Sequence, residues 1–377
     1  MSLRMLLAVL LAALALPAAA AATPVPPVDA SAYFVVDART GEVLAARNQH
    51  AHLPIASITK LMTVYLTLQR HKLTDVVTVD PRAAAVGEES IELQAGQQLT
   101  VHDLIKAALI QSANDAADAL ALADAPSFPA FAKLMNREAA VLGLHDTHFV
   151  RPDGLDAPDE YSSAADVTRL ARILMRTPFV RETVDEKTDT IADGRTLETW
   201  DDLLTLFPPT FGVKTGHTDE AGWCQVAAAR GPGVTIYATL LGSPSRSQRN
   251  ADLESLLVWG LGQFHVVDAV RTGHVYATVR LPYGKAPLEL VAARPLRAVA
   301  RLGHPLVEQV TAAAAASLPV RAGTPLGTVE IRQDGRLIGR RELVAARSVN
   351  KPGLGSRLGW YAGRAAHHLF HPFGLHP

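Results

Sequence analysis

The 377-residue chain holds a single cysteine, Cys224. That excludes an internal disulfide framework and any thiolate-based zinc site. Neither sign of charge is in excess. Lys and Arg number 36 against 37 Asp and Glu, a net of -1, which excludes a strongly basic nucleic-acid binder by composition. Only 19% of residues are charged and 48% are apolar, so a large core is available and wholesale disorder is not expected. After the N-terminus no second apolar run is long enough to span a bilayer. The length suits one or two domains plus processed ends.

Both ends are specialised. Residues 1–22 read as a secretory signal: Arg4 is the positive start, Met5–Leu11 opens an apolar run, and Ala18–Ala22 offers small-residue cleavage sites. The alternative is a transmembrane anchor, against which Pro17 and the alanine tract argue. At the other end, within Ser356–Phe370, Leu358, Tyr361, Ala362, Ala365 and Leu369 share one helical face. Arg357, Arg364 and His368 fall on the other side. Such a helix suits a membrane surface, apolar side down, or docks on its own protein. Trp360 and Phe370 sit off the stripe.

Between the ends the pattern changes twice. Tyr33–Val36 and Glu42–Ala45, joined by Arg39-Thr40-Gly41, predict an opening hairpin. A helix apolar nearly all round begins at Ser57 and should lie buried. Further helical spacing follows at 103–110, 128–142 and 167–174. Strand signals return at 212–215, 224–227 and 234–239, then a helix over 247–264. This order suits an α+β domain, an antiparallel sheet with segregated helices. From about residue 268 period-two alternation and the Asp334-Gly335 turn predict a small all-β domain. The expected divisions are 1–22, 23–267, 268–350 and 351–377.

Three short motifs can do chemistry. In Ser57-Ile58-Thr59-Lys60 the hydroxyl and the amine lie one helical turn apart. A helix start favours a developing alkoxide, and a lysine among apolar neighbours can lose its proton near neutral pH. Lys60 can then take the Ser57 proton. Ser348-Val349-Asn350-Lys351 repeats the spacing, but Pro352 disfavours helix there, so it reads as linker. Ser112-Ala113-Asn114 can place a hydroxyl and an amide in one cleft. Lys214-Thr215-Gly216 sits on a predicted strand. Its cation and hydroxyl suit a substrate carboxylate, and Gly216 leaves room for a substrate backbone alongside. The order, with about 50 residues between the first two and about 100 more to the third, makes the trio far more specific than any member.

With these motifs the chain resembles the low-molecular-mass penicillin-binding proteins, serine-type D-alanyl-D-alanine carboxypeptidases. Asp37–Gly41, Leu53–Thr63, Gln111–Ala117 and Lys214–Thr218 carry the likeness. The resemblance implies a penicillin-binding, serine β-lactamase-like transpeptidase fold followed by the small β domain and an amphipathic membrane-anchoring tail. It implies that Ser57 attacks the terminal D-Ala-D-Ala bond of the peptidoglycan pentapeptide stem and that Lys60 is the general base. Ser112 would relay a proton, Asn114 orient the substrate amide, and Lys214 and Thr215 hold the terminal carboxylate. The N–H groups of Ser57 and His217 would form the oxyanion hole, and Gly216 would belong to the substrate-binding set. β-Lactams would be covalent inhibitors, no metal or organic cofactor would be needed, and the location would be periplasmic, peripheral to the cytoplasmic membrane.

One segment departs from that pattern. Leu203-Leu204 follows Thr199-Trp200-Asp201-Asp202, where the family carries an Asn-rich stretch, which should alter charge beside the cleft. A class A β-lactamase is disfavoured, because Glu-x-x-Leu-Asn is missing between Asn114 and Lys214. A D,D-endopeptidase uses identical chemistry, and a non-catalytic wall-binding protein would not need the full motif set. The pairs His50/His52 and His367/His368 with His371 read as solvated rather than metal-binding, and Cys224 as a buried small hydrophobe.

Overall fold

A computed structural model describes residues 7–13 and 24–370. The chain forms two units. One is Thr23–Gln263. The other is Phe264–Pro377 together with the N-terminal segment.

The first unit is built on a five-stranded sheet. Its strands are β1 (Ala32–Asp37), β2 (Val43–Arg47), β3 (Thr210–Thr218), β4 (Gly222–Gly231) and β5 (Val234–Ser243). They run in the order β2-β1-β5-β4-β3, every neighbour antiparallel. Alternation along β4 sends Cys224, Val226 and Ala228 into the main core. A C-terminal helix of the unit, Arg246–Gly262, packs against β4 and β5, with Gly260 lying over Ile236 and Val35.

The helical block fills the core. A 3-10 turn, Ala56–Thr59, leads into α1 (Lys60–Arg70), where Leu61, Met62 and Val64 are fully buried. This matches the all-round apolar pattern. Beside α1 runs α2 (Asn114–Asp124), whose Ala116, Ala117, Ala119 and Ala121 allow close approach. The longer α3 (Phe128–Leu142) is capped by Ser127 at its start and by Gly143, at φ +70°, at its end. Opposite the expected helix over 103–110, the helix Val101–Lys106 passes into a π-type turn, Ala107–Gln111, which ends at Ser112 in the left-handed region (φ +65°).

The second unit is all antiparallel strands plus one helix. Its larger sheet joins Leu306–Ala313, Pro325–Gln333, Arg336–Ala345, Leu288–Ala292 and Val275–Val279 in that order. Phe264–Val270 pairs separately with Leu296–Arg301. Strand Phe264–Val270 therefore starts at the last residue of the stretch, 247–264, where the pattern predicted helix. Asp334 and Gly335, at φ +50° and +77°, make the anticipated hairpin turn. Of the expected signal region, Leu7–Ala13 lies antiparallel along Leu306–Ala313. The proposed cleavage region, Ala18–Ala22, lies outside the described residues, as does His371.

The C-terminal helix spans Leu354–Phe370. Leu354, Leu358 and Tyr361 are exposed. Trp360, off that stripe, meets Tyr283 edge-on at 5.4 Å, and the Arg357 guanidinium lies 5.8 Å from the same ring. Among the described residues no helix is long and apolar enough to cross a membrane.

Two glycines let the rest of the first unit close on residues 55–57. Gly154 has φ +82°, and a Cβ there would sit 2.1 Å from the Ala56 carbonyl oxygen. At Gly216 a Cβ would sit 2.8 Å from the Ile55 oxygen and 3.1 Å from the Ser57 nitrogen. The clearance at Gly216 is thus filled by the nucleophile segment, not by a passing substrate backbone. Gly154→Ala is expected to lower stability by about 2–4 kcal/mol, from left-handed strain plus backbone overlap. An unchanged urea midpoint would contradict this packing.

Candidate active site

Sequence dictates where each group is held. Ser57 sits in the 3-10 turn and Lys60 opens α1, so three residues of spacing stack their side chains. Ala56, at φ +49°, puts a sharp backbone feature immediately before the serine. Asn114 begins α2, and Ser112 terminates the π-type turn. Lys214, Thr215 and Gly216 follow one another along β3, opposite Val226, Gln225 and Cys224.

These elements converge. Lys60 Nζ lies 2.8 Å from Ser57 Oγ, 2.7 Å from Asn114 Oδ1 and 2.7 Å from the Asp153 carbonyl oxygen. Asn114 Nδ2 donates to the Gly87 carbonyl at 3.2 Å, which fixes Oδ1 as the atom facing Lys60. A neutral amine has two hydrogens and one lone pair. The two acceptors take the hydrogens, so the lone pair is left facing Ser57 Oγ. Burial pulls the Lys60 pKa from 10.5 down to about 8, against the nearby charge of Asp153.

The second lysine serves the second serine. Lys214 Nζ donates to Ser112 Oγ at 2.9 Å and to the Thr215 carbonyl at 3.0 Å. Its pKa is also driven well below the ordinary value, first by burial and then by the charge of Lys60. Asp115 ties the Ser112–Asn114 segment to the loop in front of it. Its carboxylate accepts from the N–H groups of Ile91 and Leu93, and Asn114 N–H donates to the Glu89 carbonyl at 2.7 Å.

In front of these groups opens a cleft of about 580 Å³. Ser57, Ser112, Thr215, Gly216 and His217 line it, with Glu89, Trp200, Trp223 and Arg249 among the others. The His217 ring packs on Trp223 at 4.0 Å. Lys60, Asn114 and Lys214 lie behind that surface, buried and joined to it by the bonds above. All eight residues singled out in the sequence are therefore brought together. Among the described residues no group of three His, Cys, Asp or Glu is placed to hold a metal ion.

Several contributors carried no motif. Arg249 is 1% exposed yet lines the cleft, and it donates to Asn250 Oδ1 at 2.7 Å and Asp202 Oδ2 at 3.3 Å. The signal was faint: an arginine on a helix far along the chain. The Thr199–Asp202 segment behaves differently from expectation. Asp202 is engaged by Arg246 at 2.7 and 2.6 Å and by Asn250 at 2.8 Å, which hold its carboxyl below the usual range. Asp201 is buried, and its carboxyl is pushed up. What this segment presents to the cleft is Trp200, not a free acid.

A glutamate does lie near the nucleophile segment. Glu160 accepts from Thr59 Oγ1 at 3.0 Å and Arg151 N at 2.9 Å, and burial pushes its pKa up to about 7. It lines a separate small crevice with Ile55, Ala56 and Gly154. It therefore does not occupy the cleft position that a deacylating glutamate needs.

A family model described as D-alanyl-D-alanine carboxypeptidase matches residues 18–245. The chain belongs to that family. D-alanyl-D-alanine carboxypeptidase DacD of Salmonella typhimurium is 33% identical over 369 residues, covering 93% of this chain and 94% of the relative. DacA of Escherichia coli K12 is 31% identical over 369 residues, covering 92% and 90%. Among solved structures, penicillin-binding protein 5 of Haemophilus influenzae superposes with a TM-score of 0.63 at 28% identity, covering 87% of this chain and 99% of that one. Penicillin-binding protein D2 of Listeria monocytogenes, solved with ampicillin bound, gives 0.58 at 32% identity, covering 63% and 99%. The α+β penicillin-binding fold is thus present, and the protein is a serine-type carboxypeptidase of that family.

The Lys60 environment sets a pH dependence. The amine is a base only when deprotonated, so it is active above its pKa and idle below. Acylation of Ser57 by a labelled penicillin should rise with pH and reach half its maximum near pH 8. A rate that is flat across that range would show that Lys60 is not the base.

Proposed function

We propose that this carboxypeptidase removes the terminal D-alanine of the peptidoglycan pentapeptide through an acyl-enzyme on Ser57. The observation that carries this reading is the Lys60 amine, whose two hydrogens are engaged by acceptors while Ser57 Oγ lies 2.8 Å from its nitrogen.

The steps follow from the geometry. Ser57 Oγ attacks the carbonyl carbon of the D-Ala-D-Ala bond as its proton passes to Lys60 Nζ. The N–H groups of Ser57 and His217 stabilise the resulting oxyanion, a contribution of about 3 kcal/mol in comparable sites. As the C–N bond breaks, Ser112 gives its hydrogen to the leaving nitrogen and is refilled by the proton that Lys60 took from Ser57, which leaves Lys60 neutral again. Lys214 is 2.9 Å from Ser112 Oγ and supports that transfer. D-Alanine departs. Lys60, neutral again, takes a proton from water as the water oxygen attacks the ester carbonyl, and returns it to Ser57 Oγ as the ester C–O bond breaks.

Asn114 holds both Lys60 and the substrate amide. Lys214, Thr215 and Arg249 supply the cationic and hydroxyl partners for the terminal carboxylate. Arg249 is an addition to the set expected from sequence. β-Lactams would acylate the same serine and leave slowly, since Glu160, the glutamate beside the nucleophile segment, lines a separate crevice. The N-terminal apolar run supports export to the periplasm. The exposed Leu354, Leu358 and Tyr361 support attachment of the tail helix to a membrane surface.

Intact-mass analysis after labelled penicillin, with the adduct mapped to a peptide, tests the nucleophile. The wild-type chain should gain one label on the peptide containing Ser57, and Ser57→Ala should gain none. Release of free D-alanine from pentapeptide should exceed cleavage of crosslinked dimers; the reverse preference would make the enzyme an endopeptidase. Arg249→Ala should lower kcat/KM on pentapeptide by about 10- to 100-fold through loss of a charged hydrogen bond. An unaltered value would remove Arg249 from carboxylate binding.

A further inference from the structure

Behind Lys60 lies a pair of acids that the steps above do not use. Asp118 lies on α2 one turn beyond Asn114, and so shares its face. Its side chain is fully buried, and drawn as a carboxylate neither oxygen meets a donor. Asp153 is equally buried but well supplied. It accepts from Arg151 Nη2 at 2.6 Å, Arg151 Nε at 2.9 Å and the Leu155 N–H at 3.0 Å. The backbone carbonyl of this same residue receives Lys60 Nζ.

A buried carboxylate without a partner is costly, and such a group takes up a proton instead. Asp118 interacts directly with the Asp153 carboxylate. Two acids can share a hydrogen bond only if one carries the hydrogen. Asp153, held by Arg151, is the charged member, so Asp118 is the protonated one.

We propose that Asp118 is a positioning residue: as a buried neutral acid it donates to Asp153, steadies the segment whose carbonyl receives Lys60, and withholds a second negative charge from beneath the base. This rests on Lys60 acting as the base. With Asp118 neutral, Asp153 is balanced by Arg151, and little draws a proton back to Lys60. With Asp118 ionised, its charge would favour the Lys60 ammonium and disarm it.

The other groups bear on the same balance. Asp118 faces Asp153, Arg151 and Lys60, while Lys60 also feels Glu89 and Glu160, and its charge acts on Lys214. Burial, followed by the Asp153 charge, pushes the Asp118 pKa up to about 8, level with Lys60. One proton can therefore leave either group, and a proton lost from Asp118 first makes the one on Lys60 harder to remove. The two ionisations overlap and broaden the wild-type profile.

The test is the rate of Ser57 acylation by labelled penicillin on the full chain, from about pH 6 to about pH 10, groups being assigned by their ordinary pKa values. Asp118→Asn keeps a donor toward Asp153 but cannot ionise. Its rising limb should shift to lower pH by about half a unit or more and narrow to a single ionisation. Asp118→Leu, with no donor, should show a lower maximal rate than Asp118→Asn. Should Asn fail to fold, Asp118→Ser supplies a smaller donor for the same measurement. An Asn or Ser variant with the wild-type midpoint and width would overturn the proposal, whatever its maximal rate. A Ser57→Ala control that still takes the label would instead overturn the nucleophile assignment, and this proposal with it.

Discussion

The site depends on removing one amine from water. Lys60 is fully buried, and a buried ammonium is disfavoured because the low-dielectric interior solvates its charge poorly. The fold supplies just enough acceptors to satisfy a neutral amine: one side-chain carbonyl from α2 and one backbone carbonyl from the segment after α3. Everything else must be arranged so that those two oxygens and Ser57 Oγ meet at one nitrogen. The all-apolar flanks of α1, the alanine-lined face of α2 and the glycine clearances at 154 and 216 all serve that meeting.

The same low dielectric explains why the cleft has two lysines rather than one. Lys60 and Lys214 each attend a serine, and each makes the other's charge more expensive. Two cations in a small dry volume lower one another's proton affinity, so at least one is drawn toward the neutral form. Tight tethers hold the arrangement open. Asp115 grips the Ile91 and Leu93 amides, and Ser112 holds a left-handed backbone where the π-type turn ends.

Much of this was legible because the motif residues lie within short, strongly patterned stretches. Ser57 and Lys60 are separated by one turn, and Lys214–Gly216 lie on one strand, opposite Val226, Gln225 and Cys224. What escaped was held by tertiary context. Arg249 sits in a helix whose spacing marks only its packing face, and nothing local ties it to Asp202. Asp118 reads as an ordinary polar position on a helix until its burial is seen. The role given to Gly216 was reasonable for a strand glycine, but local sequence does not say which neighbour fills the space. The start of the second unit was misplaced by a few residues because Phe264–Val270 follows a helix without a turn signal between them.

The clamp on Arg249 has a thermodynamic consequence. Asn250 and Asp202 grip the guanidinium before any substrate arrives, and its stem is packed away from solvent. Those bonds already restrict its rotamers. On the proposed role, docking a peptide carboxylate there would forfeit little further conformational entropy, so a short end with few atoms to offer could still be gripped firmly.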